Sequence, residues 1–161
     1  MSAPVYELRI ELKGIYPTIW RRFRVPSDID LEKFHQVMQR VMGWEDAHLF
    51  AFRRGKTTYA GAGLEGDWNP RARDATVADV LTEPGDEIEY MYDFGDSWEH
   101  RITLLDLLEP SVPAPACLEG ARACPPEDCG GVPGYYELLE ILSDPIHEYH
   151  EEMLDWTGGG Y

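Results

Sequence analysis

The chain has 161 residues, 43% of them hydrophobic, and sets 30 Asp plus Glu against 14 Lys plus Arg, for a formal net charge of -16. That length supports one compact domain with a sizeable core and is short for two. So acidic a surface repels phosphate backbones, which excludes general nucleic-acid binding, and no run is long and apolar enough to span a bilayer.

The opening "MSAPVYELRI" has neither a basic start nor a long apolar run, so a cytoplasmic location is expected. "VYELRIEL" alternates, with Tyr6, Leu8, Ile10 and Leu12 on one face and Glu7, Arg9 and Glu11 on the other, predicting a half-buried strand. "IWRRFRV" returns as its antiparallel neighbour with Ile19, Phe23 and Val25 inward, and Pro26 stops it. Its arginines and those of "FRRGK" are expected on exposed strand faces, paired with carboxylates. Asp28 or Asp30 can cap a helix whose Leu31, Phe34, Met38, Val41 and Met42 recur at helical spacing, with Gly43 as terminator. "HLFAF", "RRGK" and "TTYAG" read as a second hairpin, "AGLEGDWNPRARD" as a surface loop pinned by Trp68, and "TVADVL" as a short helix.

"YMYDFGDSWEH" (90–100) reads as a tight hairpin turn, because Gly95 and Asp96 are turn formers and both flanks are rich in aromatic and β-branched residues. The stretch 109–134 is broken by prolines and glycines and carries all three cysteines, so it is expected to be an ordered loop. "YYELLEIL" and "SDPIHEYHEEMLDW" predict two closing helices, the second capped by Ser143 or Asp144 with Pro145 in its first turn. The sum is an α+β fold: a mixed or antiparallel sheet of hairpins covered by helices, then a proline/cysteine-rich loop and C-terminal helices. Residues 1–161 form a single domain, divided into a sheet-and-helix core (1–108), the loop (109–134) and the C-terminal helices (135–156).

Three constellations can carry chemistry. Cys117, Cys124 and Cys129 form an odd set, which argues against a disulfide framework; completed by His100, or by His147 or His150, they match the donor set of a tetrahedral zinc site. The alternative is that they are small apolar fillers under the loop. His147 and His150 in "HEYHEE" would share a helix face with Glu151 one turn on, as a second metal pair or as a solvated face. Asp93, Asp96 and His100 would join Glu127 and Asp128 of "PPED" if the loop folds onto the hairpin, giving oxygen ligands for a hard cation or an acid/base pair. Against this, aspartates in turns need no catalysis to explain them. A G-x-x-x-x-G-K-[ST] phosphate loop and a G-x-S-x-G nucleophile elbow are missing from the sequence.

The motif "YDFGDSWEHRITL", followed by "GARACPPEDCGGVPGYYELLEILSDPIHEYH", resembles the plasmid pRiA open-reading-frame-three-like family, also labelled TnpR-like passenger proteins of insertion elements. The likeness runs from "YELRIELKGIYPTIWRRFRVP" to "LDWTGG". It implies an α+β fold with no assigned activity and an association with mobile elements. The family pattern falls on Asp93, Gly95, Asp96, Trp98 and His100, then on Gly120, Arg122, Cys124, Pro125, Pro126, Glu127, Asp128, Gly130, Gly131 and Tyr135. Relatives continue past the last glycines with an acidic, phenylalanine-containing tail, whereas this sequence ends at Tyr161.

Two functions follow as expectations. The first is an accessory or protein-interaction domain whose loop packs on the hairpin, with a protein partner, zinc as the candidate cofactor, and Arg122 pairing with Asp93 or Asp96. The alternative is a metal-dependent hydrolase of a small molecule or nucleotide, using Asp93, Asp96, His100, Glu127 and Asp128. A structural cluster would be satisfied by Arg122 and backbone amides, and a catalytic one would keep an open metal position or a cleft.

Overall fold

The computed structural model describes residues 2–64, 66–67 and 69–159. Seven antiparallel strands form one sheet, consistent with the expected α+β class. They are β1 (Val5–Leu12), β2 (Trp20–Pro26), β3 (Phe50–Arg54), β4 (Thr57–Ala60), β5 (Glu87–Tyr92), β6 (Trp98–Leu108) and β7 (Ala116–Ala121), in the order β4-β3-β5-β6-β1-β2-β7. Alternation in β1 buries Tyr6, Leu8, Ile10 and Leu12 and leaves Glu7, Arg9 and Glu11 on the other face. The register then matches like with like: Leu8 pairs with Phe23 and Leu104, and Ile10 lies opposite Ile102.

Helix α1 (Leu31–Met42) covers the apolar face, burying Leu31, Phe34, Met38 and Met42. Asp30 caps it by accepting from Lys33 N, and Gly43 ends it at φ 104°, where a side chain would be strained. Arg21, expected on the exposed face beside a carboxylate, lies instead on the core side of β2 and donates to the terminal carbonyls of Val41 and Met42, so a cation sits where the helix dipole is negative. A short helix α2 (Val77–Val80) carries a capping box made by Thr76 and Asp79. On the opposite, open face the expected ion pairs form: Arg24 with Glu7, Arg22 with Glu7 and Glu119, Arg101 with Glu11, and Arg53 with Glu89.

The C-terminal third departs from expectation. The stretch expected to be loop contains β7, an edge strand paired with β2 across a bulge. Helix α3 (Gly131–Ser143) starts earlier than "YYELLEIL", while α4 (His150–Trp156) starts later than Ser143 or Asp144. Pro145 lies in a turn in which Asp144 Oδ1 accepts from Ile146 N. Trp68, expected to pin the 61–73 loop, lies outside the described residues.

Candidate functional site

Three connections meet at one end of the sheet: the α1–β3 loop (44–49), the β5–β6 turn (93–97) and the PPED loop (122–130). The first is held from below by a buried polar chain. Gln39 Nε2 donates to the Tyr90 hydroxyl at 2.8 Å, and that hydroxyl lies 2.6 Å from His35 Nδ1. His35 Nε2 reaches Asp46 Oδ1 at 2.7 Å, and Asp46 N donates to Gln39 Oε1. With Tyr90 accepting from Gln39 and donating to Nδ1, the imidazole is the neutral Nε2–H tautomer. Burial lowers the His35 pKa, in keeping with that assignment. Asp46 takes φ 53° to close the ring of bonds.

The turn is built around Asp93, which is 6% exposed and sits at φ 62°. Its Oδ1 accepts from Gly95 N at 3.0 Å and Asp96 N at 3.2 Å. The other carboxylate oxygen, Oδ2, faces His48 Nε2 at 3.5 Å. The PPED loop locks onto the same turn: Gly130 N donates to Asp96 Oδ2 at 3.2 Å, and a Cβ on Gly131 would overlap the Asp96 carbonyl. Asp128, at φ 59°, brings Oδ1 to 2.8 Å from His48 Nε2.

His48, Asp93 and Asp128 thus offer three ligand atoms within 4.8 Å of one another. The His48–Asp128 approach is close enough for an ion pair, yet His48 Nε2 is buried and has no aligned hydrogen-bond partner. Beside it, Glu127 Oε2 accepts from the Tyr92 hydroxyl at 2.7 Å and from Glu45 N at 3.3 Å, while its Oε1 is buried with no partner. Burial raises the Glu127 pKa against the opposing pull of these bonds. Burial and then the Glu127 bond push the Tyr92 hydroxyl far above its ordinary value. Three left-handed aspartates, Asp46, Asp93 and Asp128, and two buried polar atoms without an aligned partner gather in this corner.

The other candidates fall elsewhere. His100 is fully buried: Nδ1 donates to Tyr90 O at 3.0 Å, Nε2 accepts from Trp44 Nε1 at 3.1 Å, and burial pushes its pKa down to about 4. Both ring nitrogens are therefore occupied, and His100 cannot reach a metal or a substrate in this arrangement. Trp98 is fully buried and packs at 5.2 Å on Trp44, and Tyr135 is buried with the core. Arg122 is exposed at φ 70°, and among the described residues no ion pair joins it to Asp93 or Asp96; backbone amides and His48 stand in its place.

The expected cysteine site is not assembled. Cys117 is exposed on β7, Cys124 and Cys129 are half-buried, all three are free thiols, and none joins a metal-compatible group of three among the described residues. Burial raises both inner thiols, Cys129 to about 11, so they persist as packed thiols at neutral pH. Gly120 lies close against β2, and Pro125 is buried with Pro126 half-buried beside it. His147 precedes α4 and accepts from Tyr149 N through Nδ1, whereas His150 turns Nδ1 to Ile141 O at 3.0 Å, so the two do not pair.

His48 is the residue that sequence reasoning missed. The signal was present in the hairpin registers: Phe50 pairs with Tyr92, so the residues before Phe50 run beside Asp93, and Asp93 N donates to Leu49 O.

No helix among the described residues is long and apolar enough to cross a membrane. A protein described as "Uncharacterized protein y4hQ", from Sinorhizobium fredii, is 40% identical over 168 residues, covering 98% of this chain and 83% of its own length. The crystal structure of MM3350, a protein of unknown function from Methanosarcina mazei Go1, superimposes with a TM-score of 0.88 at 38% identity, covering all of this chain and 93% of that one. Residues 4–161 match the family described as plasmid pRiA4b ORF-3-like protein, and the chain belongs to that family.

Proposed function

We propose that the protein is an accessory, protein-interaction domain in which a divalent cation at His48, Asp93 and Asp128 ties the PPED loop to the hairpin turn. The observation that carries this reading is the buried His48 Nε2, which lacks a hydrogen-bond partner yet faces Asp93 Oδ2 at 3.5 Å and Asp128 Oδ1 at 2.8 Å. Metal–ligand bonds of about 2.1 Å in a tetrahedron space their donors about 3.4 Å apart, against 3.5 and 2.8 Å for the two His48 contacts and no more than 4.8 Å across the set. One imidazole and two carboxylates suit Zn²⁺ or Mn²⁺ better than Mg²⁺ or Ca²⁺, which favour all-oxygen sites. The zinc expected at the cysteines is thereby reassigned to a different donor set.

The test is titration of metal-free protein with Zn²⁺, Mn²⁺ and Mg²⁺, followed by calorimetry and thermal unfolding. Near-stoichiometric uptake that His48→Ala and Asp93→Asn abolish supports the clasp. Uptake that survives both changes but is lost in Cys124→Ser/Cys129→Ser would return the site to the cysteines, and no uptake would remove it.

A second reading, a metal-dependent hydrolase, is favoured by one feature: Glu127 Oε1 is buried without a partner, and its carboxyl pKa is raised by burial. That is the character of a general base next to a metal-activated water. Glu127 and Asp128 also line a surface cleft with Glu45 and Trp156, which gives a substrate access. In this version Asp96 holds the loop and His100 is sealed in the core. Metal-dependent turnover of p-nitrophenyl esters or phosphates, lost in Glu127→Gln while cation uptake persists, is the result it requires.

A further inference from the structure

The molecule's charge is unevenly placed. Residues 123–161 contain nine Asp or Glu and no Lys or Arg, so over half of the formal net charge of -16 lies in this quarter of the chain. Here α3 and α4 pack against each other, and α4 buries none of its residues. A seven-residue helix does not hold alone in water, and its stability must come from apolar contact. Between the two helices lies a cleft of about 440 Å³ with Leu138, Ile141, Met153 and Trp156 along it and Asp128, Glu137 and Glu152 at its rim. Leu138 and Ile141 form a buried floor, while Trp156 is 48% and the nearby Tyr149 49% exposed.

An apolar floor with a carboxylate rim selects its occupant. Nucleic acid and anionic membrane surfaces are repelled by the nine carboxylates. A second copy of this face is repelled as well, since it carries the same charges with no Lys or Arg to meet them. What fits is an amphipathic helix with Leu or Ile on one side and Lys or Arg on its flanks: its apolar stripe enters the cleft, and its cations reach the rim. Met153 and Trp156 are the adaptable and the anchoring contacts such a groove uses. We infer that the α3–α4 cleft is the docking site for a basic amphipathic helix of a protein partner. This rests on reading the chain as an interaction domain and names the surface and the class of partner.

The probe is a synthetic Leu/Lys peptide with leucines at helical spacing, titrated into the 161-residue chain and followed by fluorescence anisotropy. The expected result is saturable binding that Trp156→Ala weakens about tenfold or more, as loss of a buried aromatic anchor does, with Trp156→Phe recovering part of it. The double change Glu137→Gln/Glu152→Gln is expected to weaken binding several-fold more than Glu83→Gln/Glu109→Gln, which removes the same charge from exposed positions away from the cleft. No binding, indifference to Trp156→Ala, or equal weakening by the two charge pairs overturns the inference. Cation uptake measured on the same samples separates the two proposals. Peptide binding lost with uptake intact removes the cleft alone, and uptake lost with peptide binding intact removes the clasp alone.

Discussion

Acidification should destabilise this fold through His100. Its ring is fully buried between Trp44 and the Tyr90 carbonyl, and its pKa falls from 6.5 to about 4, chiefly because burial disfavours the imidazolium. The unfolded chain therefore binds a proton in a pH range where the folded chain refuses one, and stability falls as pH drops from about 6.5 towards about 4. Linkage with these two values gives a loss of about 1 kcal/mol between about pH 7.5 and about pH 5.5, rising to about 3 kcal/mol over the full descent. Urea unfolding of the parent and of His100→Gln at the two pH values measures it. Gln keeps an acceptor for Trp44 Nε1 but cannot titrate, so the variant starts less stable and loses about 1 kcal/mol less on acidification. His35, also held neutral by burial, and the carboxylates act in both proteins and cancel in the difference. A variant that loses stability as steeply as the parent would refute the reasoning and return His100 to the candidate acid/base residues.

Tyr92→Phe removes the donor to Glu127 Oε2 and the acceptor of Ala47 N, and should cost about 2–4 kcal/mol, read as a lower midpoint in urea with an unchanged slope. Gly131→Ala places a Cβ against the Asp96 carbonyl at φ 70°; the PPED loop should detach, seen as faster amide exchange at Gly130 with the β1–β6 core still protected. Arg21→Met keeps the apolar stem but leaves the Val41 and Met42 carbonyls without their cation, and thermal unfolding should show about 1–3 kcal/mol of lost stability.

Local signals survived folding well. The alternation of Tyr6, Leu8, Ile10 and Leu12 and the helical spacing from Leu31 to Met42, closed by Asp30 and Gly43, each encode an element within a dozen residues, and each forms as expected. The fold class followed from adding such segments. β7 was illegible because "ACLEGA" has little strand propensity of its own; it is a strand because β2 offers it a ladder. The second helix was misplaced because Asp144 and Pro145 suit a cap and a turn equally well, and the chain uses the turn. At the site, Asp93, Glu127 and Asp128 were legible as acidic residues of two quoted motifs, and the structure brings those motifs together. His100 looked the same on paper as a ligand would, and only the hydrogen bonds to Trp44 and Tyr90 show it to be a core histidine. His48 stayed hidden because its partners are 45 and 80 residues away, reached through strand register and a loop fold that no local pattern announces.

The sheet's two outer borders have a consequence for how copies coexist at high concentration. β4 is four residues long, and β7 is interrupted by a bulge, carries Glu119 and Gly120, and follows Pro115. Neither border offers the long, flat, uncharged ladder that recruits another chain into a growing cross-β stack. Head-to-head polymerisation along the hydrogen-bonding direction is thereby blunted at both ends, and a seven-stranded sheet with one open face stays separate from its copies at high concentration.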